Sequence, residues 1–420
     1  MAQIKSITSR EILDSKGNPT LETSVVLSDN SVATASVPAG TSVGKYEAQE
    51  LRDHDDARFG GRGVLRNIET IKSVISPQII GMEVNLQGQI DKRMIDIDGT
   101  GNKSKLGANT MLSVSIAVAK AAAKSYKMPL YQYIGEFLEQ NKKTYKIPIP
   151  LFNLINGGMH AGNNVDFQEF HVVPASSKKY IESLKIGTDV YTNLRKLLAQ
   201  NNMTTLIGDE GGFGPSFATN EDALAILSQA ISSSNLRLGY DVFTGIDAAA
   251  NTFYKNNTYK IKDKAMSLSG TDLISYYEEL IKRHHILYLE DPLSEDDMES
   301  WSAISKLVST ETIITGDDLT ATNPIRLQLA LDKKVISGII IKPNQIGTVI
   351  ESIAVVSMAK QSGIKIIVSH RSEETNDDFI ADFAVGVGAD YVKFGAPARG
   401  ERVAKYNRLL QIDSEVNKTI

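Results

Sequence analysis

Six stretches of this chain end an apolar run on a side chain able to move a proton or hold a cation. YDVFTGID ends on Asp247, HHILYLE on Glu290, TIITGD on Asp317, GIIIK on Lys342, IKIIVSHR on His370 and Arg371, and YVK on Lys393. A short β-branched run such as Ile339, Ile340 and Ile341 reads as a strand buried on both faces. Pro343 cannot donate to a sheet ladder, so this strand is expected to stop at Lys342. A lysine there has apolar walls and little water, so its proton is expected to be easier to remove. Three carboxylates on consecutive strand ends repel one another unless a cation joins them. Oxygen ligands point to Mg²⁺. A lysine base beside a metal-held acid suits removal of a weakly acidic proton next to a carboxylate, where the dianion formed needs direct stabilisation. Each acid alone reads as a solvated strand end, and a lone lysine as a solvated surface group; the recurrence is what argues for a site.

The elements that must carry these residues follow from their spacing. Successive positions from Asp247 to Lys393, taking His370 for its stretch, differ by 43, 27, 25, 28 and 23 residues. After the first, each interval suits one strand, one helix and two loops. In a barrel of alternating strands and helices the C-terminal strand ends carry the chemistry. With 420 residues the chain is too long for one ordinary core, and two domains are expected. At 42% hydrophobic and 23% charged it reads as a soluble globular protein. No stretch of eighteen apolar residues and no apolar leader segment is present, so neither a membrane span nor a secretory signal is expected. Zero cysteines exclude disulfides and thiolate metal sites and fit a cytoplasmic location. A formal net charge of -5 argues against nucleic acid as the primary partner. Six histidines against fifty acids favour a hard cation over zinc.

Residues 3 to 37 read as a three-stranded meander, with turns at Gly17-Asn18-Pro19 and Asp29-Asn30. The stretch from Ala39 to about Gly63 has few apolar anchors and is expected to be mobile. Its AGTSVGKYE segment fails as a phosphate loop, since only three residues separate Gly40 from Gly44 and Tyr46 stands where Ser or Thr belongs. Residues 64 to 138 are helical in pattern, most strongly around Leu112, Ile116, Val118 and Ala122. This gives an α+β first domain, 1–138, and a polar linker, 139–146. From 147 to 420 two adjacent strand-like runs, two helix-like segments and then strand–helix alternation give about eight strands, hence a closed α/β barrel. His284 and His285 precede their strand and read as packing or surface residues.

At this point the chain resembles the enolase family. SREILDSKGNPT, INGGMHAGN, FQEF, GDEGGF, LEDPLSEDD, GDDLTATNP, IKPNQIGT, SHRSEETNDDFIADFAVG and GAPARGERVAKYNRLL follow the family pattern in order over nearly the whole chain. The enolase superfamily is itself the known example of a Lys or His base working with one or two Mg²⁺. The resemblance implies a modified TIM barrel, ββαα(βα)6, behind an α+β N-terminal domain. It implies reversible dehydration of 2-phosphoglycerate to phosphoenolpyruvate, two Mg²⁺ per site, and a homodimer or an octamer of dimers. By the match, Asp247, Glu290 and Asp317 hold the first Mg²⁺, and Ser42 helps bind the second. Lys342 takes the C2 proton, and Glu210 protonates the departing hydroxyl with Glu169 and Gln168 alongside. Lys393 binds the substrate carboxylate, His160 approaches from its loop, and Arg371 and Ser372 bind phosphate with His370 nearby.

Several residues depart from the family pattern. The loop Pro38 to Gly44 carries Ala39 and Val43 where hydroxyls are usual. Glu373 replaces a glycine beside Arg371 and Ser372; it could repel phosphate, occupy the arginine, or strain a backbone suited to φ > 0. Pro343, Phe394 and Thr252 also differ from the usual residues. The expectation is a phosphopyruvate hydratase. A sister dehydratase with another acid substrate and a non-catalytic scaffold are the alternatives.

Overall fold

The computed structural model describes residues 2–40, 44–138, 144–308 and 310–417. Strands β1 (Ile4–Leu13), β2 (Pro19–Leu27) and β3 (Val32–Ser36) form an antiparallel meander. Along β2 Leu21, Thr23, Val25 and Leu27 are buried at the period of two that one covered face requires. The first turn is set by Asp14, whose carboxylate accepts the N–H groups of Lys16 and Asn18 at 2.8 and 3.0 Å. The alanine-rich helix Ala108–Ser125 covers β2 and β3 and is buried along most of its length. Helices follow the meander, as the pattern of 64 to 138 implied.

The second part is a barrel. Its strands are β4 (Ile149–Asn156), β5 (Glu169–Pro174) and β6 (Val242–Asp247), then, after a small two-stranded ribbon β7 (Tyr254–Lys255) and β8 (Thr258–Tyr259), β9 (Ile286–Glu290), β10 (Ile313–Gly316), β11 (Gly338–Ile341), β12 (Lys365–Ser369) and β13 (Tyr391–Lys393). The closed order is β10-β11-β12-β13-β4-β5-β6-β9. Strand β5 runs antiparallel to both β4 and β6, and all other neighbours are parallel. Helices Tyr180–Gln200 and Asn220–Ser233 separate β5 from β6. One helix then follows each later barrel strand, giving the ββαα(βα)6 order that the resemblance implied. Leu151, Val173, Tyr288, Ile340 and Ile367 form an apolar cluster apart from the main core and plug the barrel, so the rim above them is a floor rather than a pore.

The stretch 39–63 differs from expectation in its described part. Ala48 N–H donates to Gln345 O at 2.8 Å, Gln49 N–H to Asn102 O at 2.7 Å, and Leu51 N–H to Asn109 Oδ1 at 3.1 Å. Backbone hydrogen bonds thus anchor a segment whose side chains offer few apolar anchors.

The helices of the first part meet the barrel at a buried carboxylate. Asp91 accepts from Gln87 Nε2 at 3.0 Å, Ser115 Oγ at 2.9 Å and Ile350 N–H at 3.2 Å. Ile350 lies in the first turn of the helix Val349–Gln361 that follows β11, the strand leading to Lys342. Burial pushes the Asp91 carboxyl up to about 7, against those three donors. Its folded value lies above its unfolded one, so the folded chain binds the extra proton. The stability this contributes is complete below about pH 4 and lost as pH rises through about 7. Asp91→Asn should therefore flatten the fall in unfolding free energy between pH 5 and pH 8 relative to wild type, by about 1.4 kcal/mol per pH unit at most. Urea titrations at several pH values check this; parallel curves for the two proteins would contradict it.

Candidate active site

Strand register sets the first group of side chains. Glu169 pairs with Asp247 across β5 and β6, and Asp247 pairs with Glu290 across β6 and β9, so three carboxylates stand abreast on the rim. All three are buried. Burial and mutual repulsion push Asp247 and Glu290 up to about 7. Glu169 goes well above the usual carboxylate range for the same two reasons, with Glu210 the like charge that acts on it most strongly. Lys393, at the end of β13, answers them. Its Nζ lies 2.8 and 2.9 Å from the two Glu290 oxygens, 3.2 Å from Asp247 Oδ2 and 3.4 Å from Glu169 Oε1. Burial pulls this amine down, but the three acids overrule it and hold it well above an ordinary lysine. Tyr288 donates its hydroxyl to Glu290, and Gln168 Nε2 lies 3.3 Å from Asp247 Oδ2.

A second group sits over β10 and β11. Lys342 forms an ion pair with Asp317, whose other oxygen accepts from Gln345 Nε2 at 3.0 Å. Asp291 carries the turn beneath them, accepting the N–H of Asp317 at 3.0 Å and of Asp318 at 2.8 Å. Oxygens of Asp291, Asp317 and Asp318 come within 4.8 Å of one another. Asp247, Glu290 and Asp317 stand on neighbouring strand ends, but here the Lys393 amine lies between the first two and Lys342 lies against the third. The carboxylates of this rim outnumber its cations, and a hard oxygen-seeking cation fits that donor set. The lysine expectation is corrected. Burial pulls Lys342 down, but Asp317 beside it raises the amine above the ordinary lysine range, so the proton is held rather than loosened.

A third group adjoins the first at Glu169, where ligand atoms of His160, Glu169 and Glu210 come within 4.8 Å of one another. Glu210 follows β5 and its helix, in a turn made possible by Gly211 at φ +88°. His160 Nδ1 lies 3.5 Å from Glu210 Oε1 and 3.9 Å from Glu169 Oε1. Asn153 Nδ2 donates to Glu210 Oε2 at 2.9 Å, and His370 Nε2 stands 3.3 Å from the same oxygen. Burial raises Glu210, but His370 and His160 overrule it and leave the carboxyl well below its usual range. The Glu169–Glu210 pair thus splits, one carboxyl shifted up and the other down. His171 Nε2 lies 2.8 Å from Glu169 Oε2 and burial pushes that ring down to about 3.

Arg371 lies at the opposite edge. It pairs with Glu47 at 2.7 Å, and Asn344 Oδ1 lies 3.4 Å from the same nitrogen. Gly40 must lack a side chain here, since a Cβ would fall 1.8 Å from the guanidinium. Ser372 lines the same cavity. Ser42 lies outside the described residues. Glu373 has no positive φ and exchanges two backbone hydrogen bonds with Ala39, 2.8 and 3.0 Å, so the strain expected of it is absent. Its Oε1 faces Asn18 Nδ2 at 3.4 Å.

One cavity collects His160, Gln168, Glu169, Glu210, Asp247, Asp317, Lys342, His370, Arg371, Ser372 and Lys393, every described position expected of it except the wholly enclosed Glu290. Glu47, Asp291, Asp318, Asn153 and Gln345 were missed. Asp291, Asp318 and Gln345 had a signal, since each sits within three residues of a strand-end residue; Glu47 and Asn153 had none.

The chain matches two protein-family models. The enolase N-terminal domain covers residues 4–134 and the enolase C-terminal TIM barrel domain covers 144–420. Curated enolases of Helicobacter pylori strains HPAG1 and J99 are each 44% identical over 417 residues, covering 99% of this chain and 97% of the relative. The enolase of strain 26695 matches to the same extent.

Lys393→Met should strand Glu169, Asp247 and Glu290 without their common cation. Removing one partner from a buried ion pair costs about 3–5 kcal/mol. A loss of that size in denaturant unfolding at pH 7 is expected; unchanged stability would contradict the neutralising role.

Proposed function

The chain belongs to the enolase family, as a hydro-lyase with phosphopyruvate hydratase activity, and we propose how its buried charges carry out that reaction. The substrate is 2-phospho-D-glycerate, and the products are phosphoenolpyruvate and water. Lys342 takes the proton from C2 onto its amine, which requires the working form to hold Lys342 neutral and Asp317 engaged elsewhere. Electrons of the broken C–H bond move into the carboxylate to form a dianion, then return to make the double bond as the C3 hydroxyl leaves. At rest the proton of the pair sits on Glu169, whose carboxyl is shifted up, and Glu210 takes it on and delivers it to that hydroxyl. Lys393 holds the substrate carboxylate and shares its charge. Arg371 and Ser372 hold phosphate with His370 nearby, and His160 and Gln168 close the acid side.

Asp247, Glu290 and Asp317 would hold one Mg²⁺, and Ser42 would serve a second together with the phosphate. When bound, the metal supplies positive charge against the dianion that forms at the carboxylate. The donor chemistry fits, because these are buried oxygen ligands that repel one another. The residues 1–138 act as a cap over a barrel unit, 147–420, with 139–146 between. The same reading places the reaction in glycolysis and gluconeogenesis, in the cytoplasm, in a homodimer or octamer, with no nucleic acid as primary partner. Among the described residues, no helix is long and apolar enough to cross a membrane.

The observation that carries this reading is that Lys342, just past the end of β11, and Glu210 line one cavity together with buried carboxylates. Glu373, the feature that favoured a different acid substrate, faces Asn18 rather than the cavity lining. Purified protein with Mg²⁺ and 2-phosphoglycerate should show turnover by the ultraviolet absorbance of the enol product. Lys342→Ala should lower it about 10²–10⁴-fold. Wild-type turnover no higher than that of Lys342→Ala would overturn the reading.

A further inference from the structure

One fully buried guanidinium joins the two sides of the site. Arg402 lies near the start of the C-terminal helix Gly400–Asn417. Its NH1 donates to Arg371 O at 2.6 Å and meets His370 Nδ1 at 2.8 Å. Its NH2 donates to Ser372 O at 2.7 Å and to Asp209 O at 3.2 Å. The side chain therefore ties the 370–372 segment to the residue before Glu210.

Arginine has donors and no acceptor. A nitrogen 2.8 Å from Arg402 NH1 must accept, so His370 Nδ1 carries a lone pair. Burial pushes His370 down to about 3, so at pH 7 the ring is neutral and has one N–H. That hydrogen must then sit on Nε2, 3.3 Å from Glu210 Oε2. Asn153 Nδ2 donates to the same oxygen at 2.9 Å. Oε2 accepts from Asn153 and has the Nε2–H edge of His370 turned toward it, an environment of donors that disfavours a proton on that oxygen. Oε1 is left on the side of His160, which lines the cavity with Glu210.

We propose that Arg402 is a positioning residue that holds His370 in its Nε2–H tautomer and so leaves Oε1, the oxygen beside His160, as the atom of Glu210 through which the Glu169–Glu210 pair passes its proton. In the other tautomer the bare Nε2 would accept a proton from Oε2. A proton passed to Glu210 would then be held against His370, away from any leaving hydroxyl. The buried N–H on Nδ1 would meanwhile oppose the Arg402 N–H, a contact that costs desolvation at both donors. This inference deepens the hydratase reading and rests on it for the identity of the proton acceptor. The tautomer itself is independent of any reaction.

The test is nitrogen-15 NMR of histidine-labelled full-length protein at pH 7, with His370→Gln used only to assign the His370 signals. Wild type should show a protonated Nε2 and a bare Nδ1 for His370. Arg402→Lys, which keeps the charge but not the fork, should lose that single tautomer. Its kcat should fall about tenfold or more with KM little changed. Wild-type His370 in the Nδ1–H form overturns the proposal whether or not the variant folds. A folded Arg402→Lys with the wild-type tautomer and kcat overturns it as well. Absence of turnover in wild type with the Nε2–H signature intact would strike the hydratase reading alone and support the positioning role.

Discussion

Like charges held out of water are the constraint on which the rest of this structure depends. Glu169, Asp247 and Glu290 stand abreast on three neighbouring strands because the ladder register puts them there. Their repulsion at short range and low dielectric is too large to leave unanswered. The fold answers with Lys393 beneath them, a tyrosine hydroxyl on Glu290 and an amide on Asp247. On the next strands Lys342 answers Asp317, and backbone N–H groups answer Asp291. Neutralisation is partial, as Asp247 and Glu290 near 7 show. A site built this way is held ready for more positive charge, and the same deficit makes both lysines reluctant to lose their protons.

The barrel's one reversed strand matters to this arrangement. Because β5 runs against its neighbours, its first residue, Glu169, reaches the rim where the other strands end. The N-terminal part then closes the opposite edge. Ala39 and Glu373 join by a pair of backbone bonds, Glu47 meets Arg371, and Ala48 hangs on Gln345. The face that carries the candidate site is thus shared between barrel and meander side, while Arg402 braces the segments below it.

Much of the site was legible in the sequence because its residues end apolar runs. Asp247, Glu290, Asp317, Lys342, His370 and Lys393 were found by that one signal, and the barrel followed from their spacing. Glu169 escaped it, since a reversed strand presents its beginning rather than its end; only family likeness marked it. Glu47 reaches the cavity and Asn153 reaches Glu210 through tertiary contacts that no local pattern encodes. Two expectations failed for a single reason, the neglect of neighbours. Lys342 was judged by its apolar strand and not by Asp317, and Glu373 was judged by the glycine it replaces and not by Ala39, which straightens its backbone.

The central claim is that this rim has an unmet demand for positive charge that a hard divalent cation fills. Calorimetric titration of Mg²⁺ into the full-length protein, beside Asp317→Asn and Glu290→Gln, tests it most directly. The account predicts saturable binding to wild type, weakened at least about tenfold, roughly 1.4 kcal/mol, in each variant. Equal affinity in all three proteins, or no binding to wild type, would contradict it.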